Sequence, residues 1–360
     1  MPGQSLPSSL NPPCSGIRTQ AFERCKEVES SLVSRLAGVD VETGVTETRK
    51  VEEELMDLRV ASYLLFHAPS DVGKEWAASC IMSAVDSEQV IKFGEFIRKH
   101  YIRCFKRKRG CTPSISRCSS RPETQSALLA NPGRAPQSHT EARTKALFRD
   151  NYRCILSGTP DLDSFVDMCM DEARAEETHC AHIFDESTND ISSAKVVIDK
   201  KEYAANVWTI MRCMGYPHIL DELKGVSVHR LGNIMTLTGS LHRMFDDLSI
   251  CLDATGNPNE YIVTPASPRF ARALAAVGCP TKVTLSNIRG LEPPSPTYLA
   301  IHAACHRIAH LSGAAEWYTR LDREGDVGCN HTTVADSDED MFATVLADRL
   351  ERLPGVEYDF

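Results

Sequence analysis

A mixed α+β fold is predicted by three features of the 360-residue sequence. Apolar residues recur three and four apart through much of the first hundred residues, the spacing of amphipathic helices. Around Gly239 the period changes: strand-tolerant Asn233–Leu237 gives way to Leu241, Met244 and Phe245, spaced for one face of a short helix. Two further strand-like runs, Leu248–Asp253 and Tyr261–Thr264, flank the turn residues Ala254–Asn259.

The chain divides by composition. Residues 1–16 are Pro- and Ser-rich, lack the apolar middle of a secretory signal, and read as a disordered tail. Residues 17–105 form a helical region that is expected to pack by its own faces. There Glu52, Glu53, Glu54, Asp57 and Arg59 alternate with Val51, Leu55, Leu58, Val60, Leu64 and Leu65. Pro69-Ser70-Asp71 is a turn whose Ser70 or Asp71 caps a helix through Trp76, Ile81 and Met82, and a further helix spans about Ser87–Arg103. Residues 106–140, rich in Ser, Pro, Arg and Gly without periodicity, read as a basic linker. Residues 141–320 hold the mixed unit, in which CAHIF (180–184) is a strand and Ala204–Met214 a covering helix. The helix in PSPTYLAIHAACHRIAHLSGAAEW ends at Ser312-Gly313. Residues 321–360 are an acidic segment clustered at Asp336, Asp338, Glu339 and Asp340.

With 42% hydrophobic residues the chain can bury a sizeable core. No apolar run approaches the roughly eighteen residues of a membrane span. Fourteen cysteines without framework spacing fit reduced thiols and an intracellular setting. The net charge of −9 argues against a nucleic-acid coat protein, yet the charge is uneven. The run Lys106-Arg107-Lys108-Arg109 reads as a nuclear address, a phosphate contact or a solvated linker, with the cytoplasm as the alternative location.

The chemistry-bearing residues lie in two segments. THCAHIFDE at 178–186 carries His182, and NIMTLTGSLH at 233–242, continuing as RMFDDL, carries Asn233 and His242. The order AHI, Asn, His-x2-Phe-Asp resembles the His–Asn–His (HNH) endonuclease family, in the form without zinc cysteines common in fungal proteins. The segment EARTKALFRDNYRCILSG resembles the start of that family's domain, so the likeness spans about 142–320. It implies an HNH ββα-metal core, flanked here by the N-terminal helical region and C-terminal helices. Phosphodiester hydrolysis needs an activated water and a cation against the phosphate. The resemblance makes His182, on its strand, the general base, Asn233 the residue that fixes the loop around it, and His242 a metal ligand on a short helix opened by Ser240. His182 is expected on one strand, with His242 on a short helix packed against it.

Many HNH enzymes place a metal-binding Asp immediately before the base, where this chain has Ala181. His179, Asp185, Asp246 or Asp247 can supply the missing ligand, and His179 shares a strand face with Ala181. The cofactor implied is a divalent ion, Mg²⁺ or Mn²⁺ before Zn²⁺, and the partner nucleic acid, DNA first. At the positions of the family's zinc cysteines stand Cys154, Ser157, Thr238 and Leu241, so no structural zinc is expected there and Cys154 reads as a small buried hydrophobe. Cys169, His179 and Cys180 offer an unusual alternative set. Arg143, Lys145, Arg149 and Arg153 read as phosphate contacts or helical surface charge, and His302, His306 and His310 as an ordinary helix face. The competing function is a catalytically silent HNH-fold module that binds DNA or protein, which Ala181 favours.

Overall fold

The computed structural model describes residues 3–9, 16–39, 45–106, 135–170, 174–185, 198–285 and 289–325. Four helices come first: α1 (Ile17–Ala37), α2 (Val45–His67), α3 (Asp71–Ser83) and α4 (Ser87–Ile97). The chain continues from α4 through a wider π turn at Arg98–Ile102 and a last α turn at Arg103–Phe105. Ser70 caps α3 by accepting from Gly73 N at 2.9 Å, and Asp86 caps α4 by accepting from Gln89 N at 2.9 Å. The second cap is not among the sequence expectations.

Helix α2 is buried all round from Leu55 to Leu65, and Asp57 and Arg59 are buried with it. Each is neutralised inside the fold, Asp57 by Arg98 at 2.5 Å and Arg59 by Glu29 at 2.7 Å. No Cβ fits at Gly94 against the Asp57 carbonyl, so a glycine lets α4 cross α2 at backbone contact.

The second half begins with α5 (His139–Arg149), α6 (Leu162–Asp167) and β1 (Thr178–His182). Then come α7 (Ile198–Cys213), α8 (Ile219–Leu223), and 3₁₀ turns at Gly225–His229 and Leu231–Asn233. Next are β2 (Ile234–Thr238), α9 (Gly239–Asp246), β3 (Ile250–Ala254), β4 (Glu260–Pro265) and α10 (Pro268–Ala276). The last described elements are β5 (Lys282–Thr284), α11 (Pro296–Ser312) and α12 (Ala314–Gly325). Strands β1 and β2 pair antiparallel, with Thr178 opposite Thr238 and His182 opposite Ile234, and β3-β4-β5 form a second antiparallel sheet. This is the α+β class expected. Helix α9 starts at Gly239 with Thr238 as N-cap and no side-chain cap bond, so Ser240 lies inside the helix and is not the cap.

The two halves share one core. The larger of two apolar clusters runs from Phe22 through Phe105 and Phe184 to Tyr318, and the smaller gathers Ala146, Leu147, Phe148 and Ile234. Tyr101 Oη donates to Ile301 O on α11 at 2.7 Å, and Tyr318 Oη on α12 donates to Arg98 O at 3.0 Å. The helical region is therefore not packed by its own faces alone. Helix α11 lies between α2 and β3 and joins the halves.

The terminal readings need correction where the structure describes them. Residues 3–9 are pinned, because Gln4 N donates to Leu311 O at 2.8 Å and the buried Tyr63 hydroxyl donates to Gln4 O at 3.1 Å. Lys106 is no linker or address residue. It is 1% exposed and its Nζ pairs with Asp247 Oδ1 at 2.5 Å. Arg107–Arg109, with the linker to residue 134, and the acidic segment from 326 lie outside the described residues. No helix among the described residues is long and apolar enough to cross a membrane.

Candidate functional site

Strand alternation sends His179 and Ala181 to one face of β1, and Thr178, Cys180 and His182 to the other. Two groups of side chains follow, one on each face.

On the first face α9 packs across β1 and β2. His179 Nδ1 lies 3.1 Å from His242 Nδ1, and the rings meet edge to face. One turn further along α9, Asp246 Oδ2 lies 3.2 Å from His242 Nε2. That nitrogen is buried and makes no well-aligned hydrogen bond. A Cβ at Gly239 would stand 3.3 Å from the His179 ring, so the glycine leaves room for that imidazole. Burial holds the His179 imidazolium below the usual histidine range, with His242 and Arg143 adding to the effect and Asp246 opposing it. The ring is therefore disposed to keep a lone pair free. Ala181 is fully buried and adds no ligand.

On the second face His182 Nε2 lies 3.2 Å from His229 Nδ1. The His139 ring, at the first residue of α5, is 5.6 Å from that of His182 and tilted 30° to it. Cys180 projects to the same side. Ligand atoms of His139, Cys180 and His182 all lie within 4.8 Å of one another.

Asn233 ties this region together. Its Oδ1 accepts from Phe184 N at 2.8 Å, and its Nδ2 donates to Phe184 O and Val228 O, both at 2.9 Å. One fully buried amide thus holds the chain two residues beyond His182 and the turn that carries His229.

The predicted residues are therefore only partly assembled as expected. The His242 helix packs against the His182 strand as expected, but the two imidazoles have different partners: His242 meets His179 and Asp246, and His182, on the opposite strand face, meets His229. Asp185 is half-buried, three residues past His182. Asp247 is engaged by Lys106. Cys169 is exposed, and His179 and Cys180 point to opposite faces, so that trio forms no common site. Cys154 is 1% exposed and accepts from Ser157 N at 3.5 Å, while Leu241 is fully buried, in keeping with a hydrophobe's role for the thiol.

The basic residues Arg143, Lys145 and Arg149 of α5, and Arg153 after it, are engaged within the protein. Arg143 donates to Thr178 O and pairs with Asp161 at 3.4 Å. Arg149 pairs with Asp150 at 2.7 Å and donates to Leu231 O, Ile234 O and Glu292 O. Lys145 is 3% exposed and lies 3.4 Å from Glu141, and Arg153 donates to Gly158 O at 3.2 Å. Among the α11 histidines, His302 stacks on Phe245 at 3.8 Å and His310 pairs with Glu316 at 2.9 Å. His306 is buried in the core.

Residues 154–253 match the family model described as HNH endonuclease. The matched span holds β1, Asn233 and α9 and supports an HNH domain there, and the match does not bear on a fungal origin. No curated protein and no solved structure matches the chain.

His139 and His229 were missed from the sequence. Only a lone His four residues before Asn233, and another at the end of the linker, marked them.

Proposed function

We propose that the protein is a metal-dependent endonuclease of the HNH class, hydrolysing phosphodiester bonds in nucleic acid, with DNA as the first substrate to test. The observation that carries this reading is the Asn233 clamp, which joins the backbone beside His182 to the turn bearing His229 and lies within the HNH match. His182 is the general base. It takes a proton from the water that attacks phosphorus as the bond to the leaving oxygen breaks. His229 orients the His182 ring across the 3.2 Å contact, in which one nitrogen donates and the other accepts.

His242 and Asp246 would hold a divalent ion at His242 Nε2, the buried nitrogen that lacks a well-aligned partner, while His179 meets the other ring nitrogen, Nδ1, and positions that imidazole. Imidazole donors favour Mn²⁺ over Mg²⁺, and Asp246 replaces Asp185 as the preferred carboxylate. When bound, the ion supplies positive charge against the phosphate oxygens. Many HNH enzymes place a metal ligand immediately before the base; here that position is Ala181, and His179 shares its strand face.

Incubating the purified chain with supercoiled plasmid under Mg²⁺, Mn²⁺, Zn²⁺ or EDTA tests the proposal. Metal-dependent conversion to nicked circle, abolished by EDTA, is the expected result. DNA binding without nicking under any ion would favour the silent module, to which Ala181 points.

A further inference from the structure

We infer that His139, Cys180, His182 and His229 form a binding site for a zinc-class transition ion, separate from the His179–His242–Asp246 group on the other face of β1. The three donors His139, Cys180 and His182 already lie within 4.8 Å of one another, and His229 Nδ1 stands 3.2 Å from His182 Nε2. Tetrahedral zinc with bonds of about 2.0–2.1 Å to nitrogen and 2.3 Å to sulfur sets its donors about 3.3–3.6 Å apart. The spacing of His182 and His229 thus matches a bound ion. The His139, Cys180 and His182 donors need to close by up to about 1.5 Å, and His229 turns in from its contact with His182 as the fourth donor.

Three of the four ligands sit on fixed backbone. Cys180 and His182 belong to a paired strand, and the His229 turn is tied through Val228 O to Asn233. His139 is half-buried at the start of α5, where Ser138 accepts from Glu141 N, and it supplies the adjustable side of the site. The donor chemistry selects the ion. A thiolate with imidazoles suits zinc-class metals, whereas Mg²⁺ and Ca²⁺ require oxygen ligands absent from this set. Binding turns the Cys180 thiol into a thiolate and releases its proton.

Such binding does not require the protein to be a nuclease. Its consequence does rest on that reading: an ion on His182 occupies the lone pair that accepts the proton of water, so zinc silences cleavage while the metal group on the opposite face stays intact.

The test uses the full chain, stripped with EDTA and titrated with Co²⁺, whose near-ultraviolet charge-transfer band reports thiolate ligation, and with Zn²⁺ against a chromophoric chelator. The wild type should show the band at one equivalent. Cys180→Ser should lose it, and His139→Ala should keep it while weakening zinc by roughly tenfold or more, comparable with the 10- to 100-fold cost of losing even an outer-shell partner. Cys154→Ala should change neither. Absence of the band in the wild type, its survival in Cys180→Ser, or its loss in Cys154→Ala would overturn the site. Should Cys180→Ser fail to fold, unchanged zinc affinity in folded His139→Ala would overturn it equally. Stoichiometric binding without nicking in any metal refutes the nuclease reading alone, and nicking without a cobalt band refutes this site alone.

Discussion

Replacing Asn233 by Ala removes a side chain that is fully buried and makes three hydrogen bonds of 2.8–2.9 Å, all to backbone groups of Phe184 and Val228. Each buried group left without its partner costs about 1–3 kcal/mol. Three groups set a range of about 3–9 kcal/mol, and water entering the vacated volume brings the expected loss to about 3–5 kcal/mol. That is a large share of the ~5–15 kcal/mol that holds a typical domain together. Urea unfolding followed by circular dichroism measures it. Asn206→Ala serves as the comparison, because Asn206 is also buried but its bond to His100 Nε2 is long, at 3.4 Å, and its loss should cost only about 1 kcal/mol. Below the midpoint, where Asn233→Ala is still folded, its nicking rate should fall further than its folded fraction, since the released segments carry His182 and His229. Equal destabilisation by the two substitutions, or nicking that tracks the folded fraction alone, would refute the clamp.

Acid should destabilise the protein through His306, which burial, with the charges of His310, His302 and Arg307, drives down to about 2. A depressed histidine gives stability that is present above its unfolded value near 6.5 and lost as pH falls, so pH 7 to 5 should cost about 2 kcal/mol; His306→Leu should remove that loss, and an unchanged pH slope in urea titrations would contradict the assignment. Arg149→Met leaves Asp150 buried without its partner and should cost about 3–5 kcal/mol; an unchanged urea midpoint with weakened DNA binding would instead restore the phosphate-contact reading. His242→Ala should raise the Mn²⁺ needed for half-maximal nicking by roughly tenfold or more, with rescue at excess Mn²⁺, and an unaltered Mn²⁺ titration would remove His242 from the metal group.

Local signals made much of the fold legible. The three-and-four spacing located α2 through α4, Ser70 announced its cap, and the change of period at Gly239 marked the passage from β2 to α9. What escaped depends on the tertiary environment. Asp57 and Arg59 look like surface residues because their neutralising partners, Arg98 and Glu29, lie 41 and 30 residues away. Strand β5 has three residues and forms only because β4 offers an edge. The site divides similarly. Asn233 and His242 were visible through their spacing, but the pairing of His179 with His242 depends on α9 crossing β1, and His139 joins His182 across a separation that no local pattern encodes.

The most direct measurement of the central claim is the initial rate of plasmid nicking at saturating Mn²⁺ by wild type and His182→Ala, each purified identically and shown to bind DNA equally. Loss of a general base should lower the rate by about 10²–10⁴-fold with binding intact. Equal residual nicking by the two proteins would contradict the assignment of His182 as the base.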